Sequence, residues 1–251
     1  MLYTAVTSVT FRQLSAKEII GLAKDAGLDA IEWGGDIHVP PSDMQNASKI
    51  ANLTCEAGLK VSSYGSYWRG DDIKSFEAVL ATAIALSAPV IRVWAGQKGS
   101  REYDQNEYKL LAQNLAAAAQ MAKAKNISVA AEYHCDTLTD TLESTLGLLA
   151  DATGLQTYWQ APAGATLEHN LTAIQALKGR LSNIHVFSWE DNTRLPLANH
   201  EDIWLKYLAE ISKISGDRHL IMEFVKNDDP KQFIEDAKAL KEWCTSKKGW
   251  S

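Results

Sequence analysis

The chain has 251 residues, 46% of them apolar and 22% charged, proportions that allow a sizeable core and exclude wholesale disorder. Its 25 basic and 31 acidic residues give a formal net charge of −6, which argues against binding driven by nucleic-acid phosphates. No apolar run approaches the roughly 18 residues needed to span a bilayer, and Met1-Leu2-Tyr3-Thr4 lacks a basic segment leading into an apolar one. Cys55, Cys135 and Cys244 are an odd number without close spacing, so neither a disulfide framework nor a zinc knuckle is implied. A cytoplasmic protein with no membrane and no nucleic-acid partner is expected.

In chain order, short β-rich runs beginning near Tyr3, Ala30, Lys60, Val90, Ile127, Leu155, Ser182 and His219 alternate with segments able to hold amphipathic helices. Ser15 followed by Glu18 has the pattern of a capping box at the first helix, and Gly27 suits the left-handed cap at its end. Asp25-Ala26-Gly27-Leu28 recurs in kind as Glu56-Ala57-Gly58-Leu59, and Lys125-Asn126-Ile127 places asparagine at the equivalent joint. Asn114 to Ala119 lies in a long helix-forming run. Asp229-Pro230 opens a final helix that should reach about Ser246.

Eight near-even units predict one α/β domain over residues 1–251, a closed (β/α)8 TIM barrel. An open doubly wound sheet is the rival, but neither Gly34-Gly35 nor Gly96 to Gly99 matches a glycine-rich nucleotide fingerprint. No large lid remains, so a substrate would be enclosed by short loops such as 34–42, 65–72 and 188–199, or by a partner subunit.

In such a barrel the chemistry gathers at the C-terminal ends of the strands. The polar residues there include Thr7 and Ser8, Glu32, Trp33, Asp36 and His38, Ser63, Tyr64 and Trp68, Arg92 and Trp94, Glu132 and His134, Gln160, His185, and Glu223 with Lys226. Glu132, His185 and Glu223 each end an otherwise apolar run. Burying unpaired carboxylates costs several kcal/mol, roughly, so acids converging on a barrel mouth need a cation between them or proton uptake. Any one strand-end glutamate is equally explained by an Arg or Lys neighbour; three ionisable ends on strands five, seven and eight favour a divalent metal.

These residues, with Ala30-Ile31-Glu32-Trp33-Gly34-Gly35-Asp36-Ile37-His38-Val39-Pro40 and Ile221-Met222-Glu223-Phe224-Val225-Lys226, make the chain resemble the xylose isomerase-like barrels. That family includes sugar and sugar-phosphate isomerases and epimerases, inosose dehydratases and AP endonucleases. The resemblance implies a divalent ion (manganese, magnesium, zinc or cobalt) held by Glu132, His185 and Glu223. It also implies Gln160 at the position where the family usually has aspartate, and Ala163 where epimerases often carry a substrate-binding histidine. A neutral ligand removes one charge and should lower metal affinity, although two glutamates still balance a dication.

The resemblance further implies a metal-dependent isomerase or epimerase acting through an enediolate, with Glu132 and Glu223 as the proton-transferring residues. Glu32, Trp33, His38, Trp68, Arg92, Trp94, His134 and Lys226 are candidates for substrate contacts, and the tryptophans, with Trp159 and Trp189, for pocket walls. A small carbohydrate or sugar phosphate is the expected partner, and a homo-oligomer is left open. A dehydratase on the same barrel is the chemical alternative, and a non-catalytic carbohydrate-binding or regulatory barrel the alternative from a different class, resting on Gln160 and Ala163. A repair endonuclease is disfavoured because only His38, His134 and His185 of the six histidines fall near strand ends and the net charge is negative.

Overall fold

The computed structural model describes residues 1–190 and 193–246. Eight parallel strands close into a barrel: β1 (Leu2–Thr7), β2 (Ala30–Gly34), β3 (Lys60–Gly65), β4 (Val90–Val93), β5 (Ser128–Glu132), β6 (Gln156–Trp159), β7 (Leu181–Val186) and β10 (Arg218–Met222), with β10 pairing back onto β1. Each begins within one residue of its expected start. Between them run α1 (Ala16–Asp25), α2 (Met44–Glu56), α3 (Ile73–Ala85), α4 (Gln105–Lys123), α5 (Leu142–Asp151), α6 (Leu167–Leu177) and α7 (Glu201–Ser212), and α8 (Pro230–Ser246) follows β10. A two-stranded ribbon of β8 (Trp189–Glu190) and β9 (Thr193–Arg194) was not anticipated. It lies in the expected 188–199 loop, of which residues 191 and 192 are outside the described residues.

The joints follow from local chemistry. Ser15 and Glu18 form the reciprocal capping box, and Gly27, Gly58 and Asn126 all take the left-handed conformation, with φ of 65°, 83° and 59°. Ser87 and Gly154 do the same at two further joints. Among the described residues no helix is long and apolar enough to cross a membrane.

Strand residues two apart share a face, and this parity sorts the barrel. Ala5, Ala30, Ala130, Tyr158 and Ile221 form a separate buried cluster inside it. Three alanines leave room there for the Tyr158 ring, whose oxygen accepts a hydrogen bond from Asn183 Nδ2 (2.8 Å). Two residues further along the same faces stand Thr7, Glu32, Glu132, Gln160 and Glu223. The opposite parity faces the helices: Trp33 donates its indole N–H to Thr54 of α2 (3.2 Å), and Trp159 packs edge-on against Trp204 and Tyr207 of α7.

Candidate active site at the barrel mouth

The site rests on the C-terminal ends of β5, β6, β7 and β10. Glu132 ends β5, Gln160 directly follows β6, His185 lies within β7, and Glu223 directly follows β10. One ring nitrogen, His185 Nδ1, faces three oxygens: Glu132 Oε1 at 3.3 Å, Gln160 Oε1 at 3.3 Å and Glu223 Oε2 at 3.5 Å. A single N–H cannot serve three acceptors. Ligands about 2.0–2.2 Å from a shared ion, at octahedral or tetrahedral angles, would stand about 3.0–3.5 Å apart. The spacing therefore fits a cation between the groups, and Glu132, His185 and Glu223 offer ligand atoms that all lie within 4.8 Å of one another.

The rest of the cluster is bonded to itself. Glu132 divides its oxygens: Oε1 faces His185, whereas Oε2 accepts from the Arg92 guanidinium and from Trp94 Nε1 (2.8 Å). Glu32, fully buried, accepts from Ser63 Oγ at Oε2 (2.8 Å) and lies 3.3 Å from His185 Nε2 through Oε1. Arg92 Nε is 3.5 Å from the same Oε1, an ion-pair contact without hydrogen-bond geometry. Three carboxylates and one guanidinium leave two negative charges. A dication would balance the cluster with His185 neutral, the same balance that two glutamates alone would give, because Arg92 offsets Glu32.

Protonation follows the same division. Burial opposes ionisation of Glu32, but Arg92, His185 and Ser63 outweigh it and hold its pKa to about 2. Burial likewise works against Glu132, and Arg92, His185 and His134 keep it below the usual carboxylate range. Glu223 moves the other way, raised by burial and by Glu132 against the pull of His185 and Arg92. His185 is pushed down by burial yet ends well above the usual imidazole value because Glu223, Glu132 and Glu32 surround it. Without a dication, proton uptake at His185 and Glu223 relieves the excess negative charge.

Trp94 links this cluster to the rim. Its ring stacks on His134 (4.7 Å between centroids, 22°) and lies under the Arg69 guanidinium at 4.0 Å. Across the mouth, Arg194 pairs with Asp228 (2.5 Å) and sits 4.4 Å from the Phe224 ring centroid. Arg12, Asp36 and Tyr67 tie the first three loops together.

The barrel thus gathers Glu32, Arg92, Trp94, Glu132, His134, Gln160, His185 and Glu223. Four expected substrate contacts are placed elsewhere. Trp33 faces α2 by strand parity, and His38 is buried beside it with Nε2 on Leu14 O (3.0 Å). Trp68 packs on Phe76 and donates to Asp72 O and Ser75 Oγ at the start of α3. Lys226 lies exposed in the turn after β10. Thr7, at the end of β1, belongs to the same layer as Glu32, although sequence reasoning gives it no role in the site. Its hydroxyl is buried without a partner among the described residues, beside Glu32 in the β1–β2 register, and its parity with Ala5 was the available signal.

Against this geometry stand the comparisons with known proteins. The family model for xylose isomerase-like TIM barrels matches residues 20–243. A 3-dehydroshikimate dehydratase from Bacillus anthracis is 28% identical over 158 residues, a match covering 59% of this chain and 56% of that protein. The chain therefore spans little more than half the length of that curated relative. The structure of a probable 3-DHS dehydratase involved in petrobactin synthesis, also from Bacillus anthracis, is similar with a TM-score of 0.78 and 19% identity over 95% of this chain and 98% of that one. A D-psicose 3-epimerase from Clostridium cellulolyticum, solved with D-tagatose, gives 0.73 and 12% identity, with 98% and 99% covered. At these identities the two solved structures show the shared fold.

Proposed function

The chain belongs to the xylose isomerase-like TIM barrel family, and from that premise we propose that its barrel mouth is the active site of a metal-dependent lyase. The substrate class is a small polyhydroxylated carbonyl compound, from which the enzyme abstracts a proton beside the carbonyl and expels water. The metal would be held by Glu132, His185 and Glu223 with the Gln160 amide oxygen. When bound, it supplies Lewis-acid stabilisation of charge developing on the carbonyl oxygen.

The observation that carries the reading is the unequal standing of the two glutamates. Epimerisation with proton exchange on opposite faces asks both carboxyls to carry a proton in turn. Glu132 is a poor carrier, because Arg92 and Trp94 occupy Oε2 and its pKa is depressed. Glu223 sits at the open edge of the cluster, its side chain 12% exposed where that of Glu132 is 3%, and among the described residues no guanidinium pairs with it. In an elimination one carboxyl suffices: Glu223 takes the carbon-bound proton, the C–H electron pair moves into conjugation with the carbonyl, and the departing hydroxyl leaves as water on receiving that proton. The dehydratase match supports the same choice, reversing the order of preference drawn from sequence, where isomerisation or epimerisation led. The epimerase neighbour keeps that activity as the competing reading.

The test is incubation of the manganese-supplemented protein with 3-dehydroshikimate, and separately with ketoses, in deuterated water. The lyase reading expects an aromatic dihydroxybenzoate from the first, formed by loss of one water and enolisation. Deuterium incorporation with stereoinversion of a ketose, and no water loss from either substrate class, would return the site to epimerisation. Glu223→Gln should lower the rate of either reaction by about 10²–10⁴-fold.

A further inference from the structure

Glu32 meets the barrel mouth from the side opposite the ligand oxygens. It lies on β2, two residues beyond Ala30 in the barrel interior, and its side chain is completely buried. Both its oxygens are engaged, Oε2 by the Ser63 hydroxyl and Oε1 by His185 Nε2 and the Arg92 guanidinium. Such a carboxylate has no surface to offer a substrate, so the contact expected from sequence does not describe it.

We infer that Glu32 is the positioning residue of the metal site, fixing the ring of His185 so that Nδ1 is presented to the ion. The argument is geometric. An imidazole ligates through a nitrogen that carries no proton, and which nitrogen that is depends on the hydrogen bond made by the other. Here Nε2 lies 3.3 Å from Glu32 Oε1, so the ring proton is held on Nε2 and the Nδ1 lone pair points at Glu132, Gln160 and Glu223.

Two features of β3 keep Glu32 in place. Ser63 donates to its second oxygen, which stops the carboxylate from swinging away. Gly65, next on the same face, leaves the room that the pair needs: a Cβ there would stand 2.8 Å from Arg92 Nη2 and 3.1 Å from Glu32 Oε1. Arg92 then joins Glu32 to Glu132, so the same guanidinium steadies the histidine's partner and one of the proposed ligands. Glu32 also offsets the charge of Arg92, so its loss would leave the cluster one negative charge short of balancing a dication.

The inference rests on the metal-dependent reading, and the experiment separates their failures. Mn2+ affinity is measured by the electron paramagnetic resonance of free Mn2+ for wild type, Glu32→Gln and Ser63→Ala, with circular dichroism confirming folding. The absorption spectrum of each protein loaded with Co2+ reports ligand geometry. Glu32→Gln should weaken Mn2+ binding about 10–100-fold, the usual cost of removing an outer partner of a ligating histidine, and should shift the Co2+ spectrum. Ser63→Ala keeps the charge but frees the carboxylate, and it should weaken binding severalfold; it carries the test if Glu32→Gln does not fold. Wild-type affinity and an unchanged Co2+ spectrum in a folded Glu32→Gln, or in Ser63→Ala if only that variant folds, would overturn the role of Glu32 alone. Absence of Mn2+ uptake by the wild type would overturn the metal reading together with the role that rests on it.

Discussion

The barrel mouth has two arcs that bury charge in opposite ways. Along β2, β3 and β4, Ser63 donates to Glu32, Arg92 forms an ion pair with it, and the guanidinium reaches across to Glu132. Along β5, β6, β7 and β10, three oxygens converge on one ring nitrogen with no donor left to serve them all. Buried carboxylates are common to both arcs, so burial alone does not mark a site. The mark is an excess of acceptors over donors at one point in space. On the proposed reading the closed arc is a scaffold, and the open arc is where an ion and a substrate would complete the bonding.

The comparison can be broken most decisively at Glu223. Glu223→Gln should cost about 10²–10⁴-fold in turnover with little loss of fold, and wild-type turnover in this variant would remove the open arc from the chemistry. Arg92→Leu strikes the closed arc and leaves Glu32 and Glu132 buried without their shared cation. Urea denaturation should show a loss of about 3–5 kcal/mol, the cost of breaking a buried pair; unchanged stability would mean the arc is not held by this cation.

Acidity sharpens the contrast in the metal-free protein. Glu32 has a pKa depressed from 4.5 to about 2, so its contribution to stability is present above 4.5 and lost as pH falls toward about 2. His185 and Glu223 are raised instead. Their contribution is full below their unfolded values and lost as pH rises through their folded ones. A dication must displace the protons on His185 and Glu223, so Mn2+ affinity should rise with pH, by at most about tenfold per unit for each proton released. The thermal shift produced by Mn2+ should accordingly be larger at about pH 8 than at about pH 5.5, and a shift of equal size at both would contradict the linkage.

Gln160→Asp adds an anionic ligand to the open arc and should tighten Mn2+ binding on the order of tenfold, comparable to the smaller effects seen around metal ligands. The smallest effect is expected outside both arcs. Trp33→Phe removes the bond to Thr54 and should cost about 1 kcal/mol of stability without changing turnover.

Much of this could be read from sequence because it is local. Gly27, Gly58 and Asn126 mark joints where the chain must turn left-handed, and strand starts beside them were placed within one residue. Glu132, His185 and Glu223 stood out because each interrupts an apolar run. What the sequence concealed was direction and partnership. Trp33 sits next to Glu32, and only the pleat parity set by Ala30 sends one toward α2 and the other into the barrel. Arg92 looked like a substrate contact, because nothing in a linear chain reveals that β4 brings it between glutamates 60 residues before it and 40 after it in the chain. The β8–β9 ribbon, two residues per strand, is too short to leave a periodic signal.

The central claim is that the open arc holds one divalent ion. The most direct measurement is anomalous X-ray scattering at the manganese edge from crystals of the wild-type protein grown with Mn2+. The account predicts a single peak bonded to Glu132 Oε1, His185 Nδ1, Glu223 and the Gln160 amide oxygen, with His185 Nε2 still on Glu32. A fully formed barrel with no peak among these residues, or with the ion bound elsewhere, would contradict it.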